Sequence, residues 1–290
     1  MNILEKAQKK GYAIAHLNIM NMEVVKAVAE AAQETKSPVI MATSESAIKY
    51  CGYSFLANMA KAAIEQYNIS AILHADHIHD VETVKKCIAY GWDSVMIDAS
   101  GYSFEKNVAM TQKVVKLAKR RVWVEAEIGQ LKEHEATSPY DAEKFVQLTK
   151  VDSLAIALGT SHGAFKYKGK PRLDFEALKE IRKRLDIPLV LHGASAVYPE
   201  VVTKLRKYGV KLDGASGVPD ATIKKAISMG ISKINVGTDT KLSFLLGVRE
   251  YLQKNKNDIV LNDYLGYASD KVKEMAKHKM ILFGSAGKDV

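Results

Sequence analysis

Eight short apolar runs, separated by amphipathic helical patterns, constrain the fold of this chain more than any other feature. They occupy residues 13–19, 39–43, 69–75, 94–97, 122–128, 153–158, 188–191 and 233–236. Runs such as 187–191 are hydrophobic at every position, which is typical of parallel strands covered by helices on both faces. A strand–helix alternation repeated eight times predicts an α/β protein with a closed parallel (β/α)8 barrel, the TIM-barrel architecture.

The helical patterns complete this prediction. Apolar stripes at helical spacing cover residues 23–35, 104–119, 141–149, 175–185 and 219–229. The connection between the seventh and eighth strands is too long for one helix, so we expect an insertion with helices at 199–208 and 219–229. The tail from Phe244 onward predicts extra helices outside the eightfold repeat.

The length is compatible with one domain. At roughly 150 residues per domain, 290 residues would suggest two. A barrel of this kind, however, commonly uses about 250 residues in a single domain. No low-complexity segment or linker interrupts the chain, so we expect one domain over residues 1–290.

Composition limits the cellular compartments and the kinds of partner that we expect for this protein. No apolar run approaches 20 residues, the first residues contain no signal-peptide core, and Cys51 and Cys87 form no C-x-x-C pair, which together predict a cytoplasmic protein. The net charge of +9 suggests an anionic partner: nucleic acid, a membrane surface or a phosphorylated metabolite. The lysines are dispersed and form no stripe interleaved with aromatics, so we expect neither nucleic acid nor a membrane as partner.

Polar residues mark the carboxyl ends of the predicted strands, where barrels of this kind build their active sites. These residues are Asn18, Ser44, Asp76, His77, Asp98, Glu127, His162, His192 and Asn235. His77, His162 and His192 stand at three different ends. A single histidine in such a place is commonly a hydrogen-bonded structural residue. Three that converge on one rim, with carboxylates beside them, favour a catalytic zinc site with an open position.

Two glycine-containing segments indicate a phosphate. His192 is followed by Gly193, Ala194 and Ser195, and the eighth strand ends in residues 235–238, Asn-Val-Gly-Thr. The loops after strands seven and eight are the common phosphate-binding position in these barrels, and glycine lets the backbone approach a ligand closely.

Taken together, these motifs resemble the class II fructose-bisphosphate aldolases, a family that includes the tagatose-bisphosphate aldolases. The matching segments are residues 73–77, 94–98, 124–129, 159–164, 189–195, 233–236 and 282–288. The resemblance covers nearly the whole chain. It implies zinc-dependent, reversible cleavage of a ketose 1,6-bisphosphate to dihydroxyacetone phosphate and glyceraldehyde 3-phosphate. The leading substrate that it implies is fructose 1,6-bisphosphate. It also implies a homodimer or homotetramer.

Carried over residue by residue, the resemblance implies specific roles. Asp76 corresponds to the catalytic acid/base at the C4 hydroxyl, and His77, His162 and His192 to the zinc ligands. Asp98 and Glu127 correspond to carboxylates at a second divalent-metal position, and a monovalent cation is a further expectation. The implied substrate contacts are Asn18, Ser44, Gly163, Gly193, Ala194, Ser195, Asn235, Val236, Gly237 and Thr238.

The sequence departs from the family pattern at several points. The loop after strand five is short, so Glu133 or Glu135 would have to replace the family's proton-transferring glutamate. Gly237 stands where the family often has an acid, and the tail lacks the family's arginine. These departures leave open an aldolase for tagatose 1,6-bisphosphate or another phosphorylated ketose, and a non-catalytic phosphosugar-binding homologue.

Two geometric expectations follow. Strict strand alternation would place Asp76 and His77 on opposite faces, so both can reach the site only if the strand ends there and the chain turns. No lysine occupies a strand end, and Lys233 starts its strand on the opposite rim, which disfavours a Schiff-base aldolase.

Overall fold

Eight parallel strands close into a barrel in the order of the chain, with β8 pairing back onto β1. The structure is a computed structural model that describes residues 3–129, 136–159 and 173–289. The strands are β1 Ile14–Asn18, β2 Val39–Ser44, β3 Ala71–Ile78, β4 Ser94–Ile97, β5 Trp123–Ile128, β6 Ser153–Ile156, β7 Leu189–Leu191 and β8 Ile231–Val236. The predicted (β/α)8 barrel is confirmed.

Helices surround the barrel. They are α1 Ile3–Lys10, α2 Met22–Thr35, α3 Glu45–Cys51, α4 Tyr53–Tyr67, α5 Val81–Ala89, α6 Phe104–Ala118, α7 Pro139–Thr149, α8 Phe175–Arg184, α9 Pro199–Lys207, α10 Asp220–Ser228, α11 Thr238–Lys254 and α12 Leu261–Leu282. None of the described helices combines the length and the hydrophobicity that a membrane span requires.

Local signals account for many helix ends. Ser138 caps α7 by accepting a hydrogen bond from the backbone N–H of Asp141, and Pro139 occupies the first turn, where its missing N–H costs nothing. Gly91 and Gly230 follow α5 and α10 with φ of 86° and 106°. Glycine adopts this left-handed region without a steric penalty, so it stops both helices.

The main core lies between the strands and the helices. Outward-facing aliphatic residues such as Leu17, Leu73 and Ile97 are fully buried against the helical layer. Inside the barrel, Met96, Ala155 and Val190 form a small apolar cluster. Other parts of the interior are filled by buried polar and charged side chains, which include His74, Glu125 and Lys233.

Several predicted boundaries were wrong. β8 begins at Ile231, so Lys233 lies in the middle of the strand rather than at the opposite rim, and its side chain is fully buried inside the barrel. α11 begins at Thr238 rather than near residue 244. Helices α3 and α4 between β2 and β3 were not predicted. The two helices of the insertion, α9 and α10, are confirmed. One domain over residues 1–290 stays a prediction.

Candidate active site

A cavity of 540 Å³ opens at the carboxyl ends of the strands. Ten residues predicted from the sequence line it: Asn18, Ser44, Asp76, His77, His192, Gly193, Ser195, Asn235, Gly237 and Thr238. Ala194 and Val236 do not line the cavity, because their side chains are buried in the main core. His162, Gly163, Glu133 and Glu135 lie outside the described residues.

The end of β3 brings Asp76 and His77 to the same cavity. The prediction that β3 ends at Asp76 was wrong, because the strand continues to Ile78. Its pairing with β4 shifts between Ala75 and Ile78, and His77 has a φ of 50°. This left-handed conformation is uncommon for a residue other than glycine and breaks the strict alternation of side chains. This irregularity lets the side chains of Asp76 and His77 both reach the cavity although the strand continues.

His77 connects two groups of candidate metal ligands. Its Nε2 lies 2.7 Å from Nδ1 of His192, and its Nδ1 lies 2.7 Å from Oδ2 of Asp98. The first group consists of Asp76, His77 and His192, and the second of His77, Asp98 and Glu127. Within each group the ligand atoms all lie within 4.8 Å of one another. The predicted metal residues of the described chain are thus brought together.

A buried carboxylate oxygen shows that these residues fit a metal ion. Oε2 of Glu127 is buried and has no hydrogen-bond partner among the described residues; its distance to Nδ1 of His77 is 3.7 Å. Leaving such an oxygen without a partner is costly, and a cation would satisfy it. Imidazole nitrogens and carboxylate oxygens are also the ligands that zinc takes in catalytic sites.

The electrostatics of the cluster are consistent with this fit. Burial lowers the pKa of His77, but the charge of Asp76 and the hydrogen bond to Asp98 outweigh burial and raise it to about 10. Burial raises the pKa of Glu127 to about 8, against the opposing charge of His77. Burial, with the charge of His77, lowers the pKa of His192 to about 3. The carboxylates thus favour a positive charge at their centre, which a proton or a metal ion can provide.

Asp76 is held as a buried anion. Burial by itself would raise its pKa, but the imidazoles of His16 and His77 outweigh burial and hold the pKa well below its usual value. Its Oδ2 accepts a hydrogen bond from Nδ2 of Asn18 at 2.9 Å, and its Oδ1 accepts one from Nδ2 of Asn235 at 3.3 Å. The carboxylate is therefore ionised, fixed in orientation and in contact with the cavity, so it can accept a proton from a bound ligand.

The start of α11 forms the other wall. The backbone N–H of Thr238, the first residue of this 17-residue helix, donates to Oγ of Ser195 at 3.2 Å. A Cβ at Gly237 would come within 2.6 Å of Oδ1 of Asn18, so this close approach favours glycine. Gly193 has a φ of 64°. A helix N-terminus beside these backbone groups is a favourable environment for a phosphate.

Sequence reasoning missed several residues at or near the site. Lys241 lines the cavity one turn after Thr238, and it is the one lysine or arginine to do so in the described ranges. It was overlooked because α11 begins earlier than predicted. Tyr50 also lines the cavity, from the unpredicted α3. His16 and His74 are also buried inside the barrel close to Asp76.

Comparison with known proteins agrees with this fold and site. The family model described as fructose-bisphosphate aldolase class-II matches residues 1–212 and 211–288. The chain therefore belongs to the class II fructose-bisphosphate aldolase family, and the resemblance read from its motifs is confirmed.

Individual relatives extend over the full chain. A fructose-bisphosphate aldolase of Thermus caldophilus is 45% identical, covering 99% of this chain and 98% of its own. One from Helicobacter pylori (strain ATCC 700392 / 26695) is 42% identical, covering 99% and 97%. The crystal structure of the YdjI aldolase from Escherichia coli K12 matches with a TM-score of 0.83 and 32% identity, over 99% of this chain and 97% of that one.

Proposed function

We propose that this chain catalyses the metal-dependent, reversible aldol cleavage of a ketose 1,6-bisphosphate, with fructose 1,6-bisphosphate as its first substrate. The products are dihydroxyacetone phosphate and glyceraldehyde 3-phosphate. One observation carries the proposal: the ionised carboxylate of Asp76 and the imidazoles of His77 and His192 face the same cavity, with ligand atoms within 4.8 Å of one another.

The proposed metal is zinc, held by His77, His192 and, from outside the described residues, His162. Asp98 and Glu127 would serve a second divalent position, and a monovalent cation stays a prediction. When bound, zinc acts as a Lewis acid that stabilises the negative charge left on the ketose oxygens as the C3–C4 bond breaks.

Asp76 performs the proton transfer in this proposal. In cleavage, its carboxylate takes the proton of the C4 hydroxyl, and the electron pair of the C3–C4 bond remains with C3 and spreads to the C2 carbonyl oxygen. The aldehyde then leaves, and C3 takes up a proton, which Glu133 or Glu135 would supply, to give dihydroxyacetone phosphate. In the reverse direction Asp76 returns the proton. Asn18 and Asn235 orient the carboxylate through the hydrogen bonds described above.

The phosphates provide the remaining recognition. Gly193 and Ser195, which follow β7, and Thr238, which begins α11, would hold the phosphate of dihydroxyacetone phosphate. Lys241 would attract the second phosphate in place of the family's tail arginine, because among the described residues it is the one lysine or arginine that lines the cavity. Ser44 lies across the cavity as a further polar contact. Part of the net charge of +9 would thus serve to bind phosphate groups at the carboxyl ends of the strands.

The proposal extends to the setting of the enzyme: a homodimer or homotetramer in the cytoplasm, with neither nucleic acid nor membrane as partner. The missing tail arginine and the short loop after β5 keep a second candidate substrate open, tagatose 1,6-bisphosphate or another phosphorylated ketose. A non-catalytic phosphosugar-binding role is disfavoured, because Asp76 and the candidate ligands of the described chain are all in place.

A substrate panel tests the proposal. The zinc-loaded protein is assayed with fructose 1,6-bisphosphate, tagatose 1,6-bisphosphate and fructose 1-phosphate in a coupled assay for dihydroxyacetone phosphate. We expect the highest kcat/KM with fructose 1,6-bisphosphate. A higher value with tagatose 1,6-bisphosphate or the monophosphate would move the proposal to the second candidate. No turnover of any ketose phosphate would contradict it, as would covalent trapping of substrate by borohydride, the mark of a Schiff-base lysine.

A further inference from the structure

A buried ion pair crosses the interior of the barrel beneath the active-site cavity. Nζ of Lys233, on β8, lies 2.8 Å from Oε1 and 2.6 Å from Oε2 of Glu125, on β5. Each side chain is only 1% exposed. β5 and β8 are not neighbours in the sheet, so the pair spans the interior rather than linking adjacent strands.

The pair belongs to a polar network. Oγ of Ser153 donates to Oε2 of Glu125 at 3.3 Å, and Oε1 of Glu125 lies 3.2 Å from Nε2 of His192. On the other side, Nζ of Lys233 lies 3.3 Å from Nε2 of His74, whose Nδ1 is 2.8 Å from Oγ of Ser94. The network therefore ends on a candidate metal ligand at the cavity.

Stability alone does not account for this arrangement. Barrel interiors of this type are normally filled with branched apolar side chains. Transferring a carboxylate and an ammonium into such an interior carries a desolvation penalty that their attraction often only offsets, and apolar pairs of similar volume are commonly as stable. The contact with His192 suggests what the ion pair contributes instead.

The geometry fixes the role of each nitrogen of His192. A carboxylate paired with Lys233 is an acceptor only, so the nitrogen that faces it, Nε2, carries the hydrogen. Nδ1 then carries the lone pair and faces the site, where it lies 2.7 Å from Nε2 of His77 and 3.1 Å from Nδ2 of Asn235. Carboxylates that accept the second N–H of a ligating histidine set the tautomer and the orientation of the ring.

We propose that the Lys233–Glu125 ion pair positions His192 for metal binding, with Glu125 as the hydrogen-bond acceptor of Nε2 and Lys233 as the anchor of Glu125. Neither residue lines the cavity, so both are positioning residues. The inference rests on the proposed function only in requiring that His192 bind the metal.

The test measures metal binding directly rather than activity. The double variant Glu125→Leu/Lys233→Met removes both charges together and so avoids leaving one of them buried and unpaired. We expect it to fold and to bind zinc about 10–100-fold more weakly than the wild type in competition with a chromophoric chelator. The absorption spectrum of its cobalt complex should change, because the ring of His192 is no longer held.

Two further variants isolate the effect. Glu125→Gln/Lys233→Met returns an acceptor at the same place and should restore part of the zinc affinity. Lys279→Met removes another buried lysine, paired with Asp239 at 2.9 Å outside the network. It should lower the free energy of unfolding but leave the zinc affinity unchanged, which separates positioning from general loss of stability.

The outcomes are distinct. A folded Glu125→Leu/Lys233→Met protein that binds zinc with wild-type affinity would overturn the positioning role and leave the proposed function intact. A wild-type protein that binds no zinc would overturn both. Tight zinc binding that weakens in the double variant, in a protein that cleaves no ketose phosphate, would support the positioning role and defeat the proposed function.

Discussion

Replacing Asp76 by Asn separates the two proton transfers of aldol chemistry. The substitution keeps the size of the side chain and removes the charge that accepts the C4 hydroxyl proton. Both carboxylate oxygens accept hydrogen bonds from amide groups, at 2.9 Å from Asn18 and 3.3 Å from Asn235. An amide has only one acceptor oxygen, so one of these contacts becomes an unfavourable contact between two donors.

The magnitude follows from the role. A positioned general base contributes about 10²–10⁴-fold to a rate, which corresponds to about 2.7–5.4 kcal/mol in the activation free energy. We therefore expect kcat for cleavage of fructose 1,6-bisphosphate to fall by about 10²–10⁴-fold in Asp76→Asn. The donor–donor contact should also lower the free energy of unfolding by about 1–3 kcal/mol.

Two assays on the same protein make the result specific. Cleavage is followed by coupled detection of dihydroxyacetone phosphate, and exchange of the C3 proton of dihydroxyacetone phosphate is followed by NMR in D₂O. Exchange breaks a C–H bond at C3 and does not involve the C4 hydroxyl, so it should persist in Asp76→Asn. Asp174→Asn is the matched control, because Asp174 is an exposed cap of α8 and Asn caps equally well. Near wild-type cleavage, or equal loss of both activities at full zinc content, would refute the assignment.

Three further results are expected. Lys279→Met should lower the free energy of unfolding by about 3–5 kcal/mol in urea titrations, because it leaves the buried carboxylate of Asp239 without its cation. Burial raises the pKa of the Cys87 thiol from 9.0 to about 12, so the contribution of the buried thiol to stability is complete below pH 9 and is lost as the pH rises towards 12. The difference in unfolding free energy between the wild type and Cys87→Ala, measured by urea unfolding at pH 8 and pH 10, should therefore shrink by about 1.4 kcal/mol per pH unit above 9. Lys241→Gln should raise KM for fructose 1,6-bisphosphate by about tenfold, as expected for the loss of one charge-assisted contact, and change KM for fructose 1-phosphate far less in the same coupled assay.

Hydrophobic periodicity predicted the barrel because its two signals, the apolar strand runs and the amphipathic helical stripes, are both local in sequence. The fourth strand, residues 94–97, has the predicted bounds, and each of the other seven predicted runs overlaps an observed strand. Polar residues at the strand ends located the cavity for the same reason, since parallel strands bring all their carboxyl ends to one rim. Fold and rim could thus be read from the sequence.

What could not be read depends on contacts between distant segments. The left-handed backbone at His77 arises where the register between β3 and β4 shifts, which no local pattern of residues 73–78 specifies. Glu125 and Glu127 stand two residues apart, so alternation already placed them on one face of β5. The partner of Glu125, Lys233, is 108 residues away and was assigned to the wrong rim because β8 begins two residues earlier than its apolar run suggested.

Metal dependence of cleavage tests the central claim most directly. The purified protein is dialysed against a strong chelator, and its initial rate with fructose 1,6-bisphosphate is measured before dialysis, after it, and during titration with zinc. We predict that the rate disappears with the metal and returns in proportion to bound zinc. Unchanged cleavage by protein shown to be free of metal would contradict the account.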